Sequence, residues 1–165
     1  IQLPLTSKAR QINNQMPKYT VNLLQEALEK LGKQIDGAKI AILGVAFRGN
    51  ISDTRLSPAH EIAKLLKSQG ATVTAHDPYV KEDPTLKQLG IPLAALEEAV
   101  TNADAVIIAT DHKQFKNLNL KELVSKAKKP TIIIDGRNLY VNTKIPSKTI
   151  YISISGRKVS KLTKP

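Results

Sequence analysis

The sequence predicts an α/β fold: a parallel sheet with helices on both faces, preceded by a long N-terminal helix. Three observations carry this expectation. Short unbroken apolar runs at 38–44, 73–76, 105–109, 131–134 and 149–154 read as strands buried on both faces. Segments with helical spacing and capping residues separate them, an alternation that lays helices over a parallel sheet. The first run ends at Gly44 and opens into the arginine-bearing loop 45–56, followed by a helix start at Ser57-Pro58. Loops of that kind lie at the carboxyl edge of the sheet, where such folds receive ligands.

Taken in order, residues 6–35 place Ile12, Met16, Val21, Leu24, Leu28 and Leu31 at near-helical spacing, with Gly32 near the end. Pro17 is expected to kink or break this helix, because it has no N–H and crowds the preceding turn. After the first strand, a helix runs from Pro58 to Gln69. Ser57 is its N-cap, Pro58 its first residue and Gly70 its stop. Val73 to His76 form the second strand, closed by Asp77-Pro78. Short helices follow over Pro84 to Leu89 and Leu93 to Thr101. The Ala105–Ala109 strand precedes a helix over Leu120 to Ala127 and a strand over Thr131 to Ile134. A last strand over Thr149 to Ile154 is expected at the outer edge of the sheet. The expected organisation is a helical element over 1–36, a Rossmann-like α/β domain over 37–154 and a disordered basic tail over 155–165.

Composition narrows the functional classes. A chain of 165 residues suffices for one domain with a sizeable core. No apolar run approaches the ~20 residues of a membrane span, and no secretory leader is visible, so a cytoplasmic location is expected. The absence of cysteine excludes disulfides, thiolate metal sites and a thiol nucleophile within these residues. The formal charge of +11 suits phosphate-bearing partners of several kinds. Aromatics make up only 4% of the chain and the lysines are scattered, which makes nucleic acid an unfavoured partner. The chain opens on Ile1 rather than Met, and a longer parent protein is expected.

The candidate site follows from the rim. Loops after the strands bring Arg48, Arg55 and Arg137 to one edge, and guanidinium groups fork onto phosphate oxygens as lysine cannot. Asp77 stands where dinucleotide folds carry a ribose-binding acid, yet no G-x-G-x-x-G follows the first strand, and before Pro78 it reads as a turn residue. Local alternatives exist for each residue. Arg55 can pair with Asp53, Arg137 with Asp135 or another acid, and Phe47 can plug the core. His60 and His76 read as structural, and the Asp111-His112 pair has no nucleophile beside it.

Five collinear stretches make the reading specific. Ile42-Leu43-Gly44-Val45-Ala46-Phe47-Arg48 with Asp53-Thr54-Arg55-Leu56-Ser57-Pro58 resembles the C-terminal domain of the UDP-glucose/GDP-mannose dehydrogenase family. His76-Asp77-Pro78, Ala109-Thr110-Asp111-His112 with Phe115, and Ile134-Asp135-Gly136-Arg137-Asn138 are similar to further family stretches. Ala9 to Pro17 resembles the end of that family's central helical domain. The resemblance implies a nucleotide-sugar-binding portion of an NAD-dependent UDP-sugar 6-dehydrogenase, which oxidises a sugar alcohol to a uronic acid in a four-electron reaction.

By the same resemblance, Phe47 and Arg48 meet the nucleotide, Arg137 holds the phosphates, and Arg55 reaches towards NAD. The family usually carries Lys where this chain has Arg48. The catalytic cysteine and NAD fingerprint are missing here, so this portion is expected to bind UDP-sugar without catalysing. The first helix implies a homodimer or higher oligomer through the central domain, its apolar stripe otherwise packing on the α/β body. The alternatives are a stand-alone UDP-sugar-binding module without chemistry and a basic nucleic-acid-binding domain.

Overall fold

The computed structural model describes residues 3–162. Five strands are parallel: β1 (Lys39–Leu43), β2 (Thr72–His76), β3 (Ala105–Ile108), β4 (Thr131–Asp135) and β5 (Thr149–Ser153). A sixth, β6 (Lys158–Lys161), runs antiparallel to β5, and the sheet order is β2-β1-β3-β4-β5-β6. The order reverses at β1, between β2 and β3. The loops leaving these three strands therefore share one stretch of the carboxyl rim.

Helices cover both faces. Ile40 and Ile42 of β1 face one core, with Ile107, Ile132, Ile134 and Ile152 from the other strands. That core is closed by α1 (Pro4–Glu29), α2 (Pro58–Ser68) and α3 (Pro84–Gln88). Ala41 and Leu43 turn to the opposite core, capped by α4 (Leu96–Val100), α5 (Lys113–Lys116) and α6 (Leu120–Lys126). This two-sided burial, with side chains alternating at period two, is why the inner strands read as continuous apolar runs, whereas β2 at the sheet edge alternates Val73 and Ala75 inward with the more exposed Thr72, Thr74 and His76.

Ser57 caps α2 as expected, its hydroxyl accepting from the Ala59 N–H at 3.2 Å, with Pro58 at the first turn. Ser57→Ala is expected to cost about 1 kcal/mol, read as a shift in the urea midpoint at unchanged slope.

Three expectations need correction. The first helix passes through Pro17 without interruption and ends at Glu29 rather than 35. Gly32, at φ +67°, turns the chain there, and the Lys33 N–H closes the end onto the Leu28 carbonyl at 3.0 Å. Only the C-terminal half of this helix is buried. Val21, Leu24 and Leu28 pack in the domain's own core, against α2 and β4, while Leu5, Ile12 and Tyr19 remain exposed.

Second, the segment expected as a disordered tail supplies β6. Val159 pairs with Tyr151, the Arg157 guanidinium lies 5.9 Å from the Tyr151 ring centre, and Lys158 reaches Glu26 at 3.4 Å. Lys164 of the expected basic tail lies outside the described residues. Third, β5 is consequently an inner strand, and the charged β6, which resists further pairing, forms the edge. The short helix α5 and the later start of α4, at Leu96 rather than Leu93, are smaller differences. Leu93 instead makes a parallel bridge to Ala75.

Candidate functional site

The rim is built around two close backbone approaches. Gly44 ends β1 at φ +94°, and a Cβ there would stand 2.4 Å from the Thr110 Cβ. A Cβ on Gly49 would meet the Asp111 carbonyl oxygen at 2.5 Å. The β1 loop thus lies directly on the chain leaving β3, and Thr110 fastens the contact by donating its hydroxyl to the Ala46 carbonyl at 2.7 Å.

Asp77, just past β2, closes the loop from the other side. Its Oδ2 accepts from the N–H of Val45 at 2.7 Å and of Ala46 at 3.0 Å, and from His112 Nε2 at 2.9 Å. Its Oδ1 accepts from the N–H of Tyr79 at 2.8 Å and of Val80 at 3.1 Å. Burial pushes this carboxyl up, but the N–H donors of Ala46, Val45 and Tyr79 and the adjacent His112 outweigh it. The net shift is downward. Asp77 therefore faces inward as a loop anchor, its Oδ1 serving the turn expected before Pro78 rather than a ribose. The amides after β1, which a dinucleotide fold aims at a pyrophosphate, are already given to a carboxylate of the same chain.

The sequence-derived candidates separate into two groups. Phe47 is 54% exposed and no core plug, and Arg48 beside it is exposed with no ion pair among the described residues. Arg137 lies at the end of β4. Its backbone N–H caps Asp135 at 3.1 Å, while its guanidinium pairs with Asp111 at 3.2 Å rather than with Asp135. The same Asp111 Oδ1 accepts from the Gly49 N–H at 3.2 Å, so one carboxylate oxygen ties Arg137 to the residue following Arg48.

Arg55 stands apart. It forks onto Asp53, Nε at 2.9 Å from Oδ1 and Nη2 at 2.7 Å from Oδ2, whereas Arg137 pairs with a different acid, Asp111. The guanidinium beside Asp53 holds that carboxyl at about 2. The local alternative thus describes Arg55 in this structure. His60 pairs with Asp83, the N-cap of α3, and His76 bonds the Ala94 carbonyl, both structural as expected.

Sequence reasoning missed what Asp111 and His112 do. Both grip the β1 loop, Asp111 through the Gly49 N–H and His112 through the Asn50 N–H. The signal was present but depended on strand order: β2 and β3 flank β1, so polar residues just past their ends must face its loop.

The fold defines a doubly wound α/β domain, with Phe47, Arg48 and Arg137 gathered at its carboxyl edge. The chain belongs to the UDP-glucose/GDP-mannose dehydrogenase family, whose UDP binding domain matches residues 41–142. It is 41% identical over 131 residues to a UDP-N-acetyl-D-mannosamine dehydrogenase of Pyrococcus horikoshii, covering 79% of this chain and 29% of that protein. The solved UDP-D-ManNAc dehydrogenase of the same organism superposes with a TM-score of 0.78 at 37% identity, over 93% of this chain and 34% of that one. An NDP-N-acetyl-D-galactosaminuronic acid dehydrogenase from Methanosarcina mazei Go1 reaches 0.85 at 34% identity, over 94% and 34%. The chain thus spans about a third of the relatives it matches, and the family is one of oxidoreductases. No helix among the described residues is long and apolar enough to cross a membrane.

Proposed function

We propose that this chain is the nucleotide-sugar-binding portion of an NAD-dependent UDP-sugar 6-dehydrogenase whose substrate is a UDP-N-acetylhexosamine. The match of the UDP binding domain across the rim carries this reading, and the names of the relatives favour the N-acetylated sugar. In it, Phe47 and Arg48 meet the nucleotide and Arg137 takes the diphosphate. Ligand phosphates then replace Asp111 on the guanidinium, an exchange between partners that both lie near the surface. This is a binding and orienting role, and the chain contains no thiol of its own.

Bound NAD supplies the hydride acceptor for oxidation of the sugar alcohol. This chain has little to hold it, because the amides after β1 serve Asp77 and no glycine fingerprint follows. Arg55 is the residue assigned towards NAD, once it leaves Asp53. The exposed Leu5, Ile12 and Tyr19 on α1 support assembly into a dimer or higher oligomer through the helical element.

Arg137→Ala is expected to weaken UDP binding by about 1.5–3 kcal/mol, at least tenfold by calorimetry. UDP should bind in preference to AMP and GMP. Equal affinity of wild type and variant for UDP overturns the assignment of Arg137. Arg55→Ala should leave UDP affinity unchanged and raise the KM for NAD about tenfold in the whole enzyme. An unchanged KM removes Arg55 from the cofactor side.

A further inference from the structure

We infer that His112 is a positioning residue that sets the Phe47–Arg48 segment for its ligand, acting as a bridge of fixed tautomer between Asp77 and Asn50. The inference rests on the nucleotide reading of Phe47 and Arg48. The ring is fully buried, and both of its nitrogens are engaged. Nδ1 receives the backbone N–H of Asn50 at 2.9 Å. An amide N–H only donates, so Nδ1 carries no proton. The ring proton therefore sits on Nε2, which donates to Asp77 Oδ2 at 2.9 Å.

The ring cannot turn to exchange these roles. Tyr79 stacks on it at 5.1 Å between centroids, and Phe115 meets it at 5.3 Å, edge to face. The two bonds complete a clamp on the β1 loop. Asp77 holds Val45 and Ala46 at one end, Asp111 holds Gly49, and His112 holds Asn50 at the other. Asn50, itself at φ +64°, returns its side-chain oxygen to the Lys113 N–H at 2.8 Å. Phe47 and Arg48 are exposed between these pinned flanks. His112 never reaches the rim surface, so its influence on a ligand must pass through that loop.

Two variants separate positioning from packing. His112→Gln keeps one donor and one acceptor, whereas His112→Phe keeps a ring and loses both bonds. ¹⁵N NMR of the wild-type protein should show an unprotonated Nδ1 and a protonated Nε2. Exchange of the Asn50 amide should quicken about tenfold in His112→Phe and stay near wild type in His112→Gln. Exchange in β3 and β4 should be the same in all three. UDP binding should weaken about tenfold in His112→Phe, and Arg48→Ala should then cost less in that background than in wild type.

A proton on Nδ1, or Asn50 exchange and an Arg48→Ala cost indifferent to His112→Phe, overturns the inference. If His112→Phe does not fold, the tautomer and the rescue by His112→Gln decide it. Failure of wild type to bind UDP instead overturns the nucleotide reading, while the exchange and tautomer results still test the clamp.

Discussion

Gly44→Val is expected to destabilise the fold by on the order of 4 kcal/mol, combining backbone strain with a steric clash. At φ +94° a branched side chain is strained before any neighbour is considered. Here the new Cβ would also stand 2.4 Å from Thr110 Cβ and 2.7 Å from the Thr110 backbone nitrogen. Thr110 cannot retreat, because it is buried and bonded to the Ala46 carbonyl. Gly90 provides the control. Its φ is +65°, but nothing lies within 4 Å of an added Cβ. Gly90→Ala should cost only about 1 kcal/mol. Urea unfolding of the two variants separates strain from collision, and equal losses would show that the close approach of β1 and β3 loops carries no energetic weight.

The second large effect is at Asp77. Asp77→Ala removes an acceptor shared by four backbone N–H groups and His112, and is expected to cost on the order of 4 kcal/mol. Four of those five bonds are buried, and only the Tyr79 N–H lies where water could take the carboxylate's place. Acid stability should respond in a defined direction. The folded carboxyl lies below its unfolded value of about 3.9, so its contribution is fully present above that pH. It is lost as pH falls through the folded value. Asp77→Asn should therefore flatten the acid limb below about pH 4, leaving the share carried by Asp83, Asp104 and Asp111, which are also shifted down. An unchanged acid limb would show that Asp77 gains nothing from its donors on folding.

Much of this architecture was legible residue by residue. Unbroken apolar runs gave the parallel strands, and Ser57-Pro58 and Gly70 bounded α2 because capping is a local matter of unpaired backbone groups. Their places in loops just past strand ends put Arg48, Arg55 and Arg137 on the rim. The β6 edge was not legible, because Lys158-Val159-Ser160-Lys161 has too little apolar content to announce a strand. It becomes one by pairing with β5, a partner that sequence spacing does not reveal. Pro17 misled for a related reason: a local rule breaks a free helix, whereas packing of Val21, Leu24 and Leu28 on the sheet holds this one.

The rim divides along the same line. Sequence by itself determined the fold class, the strand and helix alternation, and the arginines available to an anionic ligand, since these follow from local periodicity and side-chain chemistry. Only the tertiary structure decided that Arg55 is held by Asp53, that Arg137 shares Asp111 with the Gly49 amide, and that Asp77 and His112 clamp the β1 loop. Apart from the Asp53–Arg55 pair, two residues apart, those contacts join residues up to 62 positions apart in the chain, and their partners are set by the strand order around β1. A carboxylate or imidazole chooses among distant donors only once the sheet has brought them within hydrogen-bond reach.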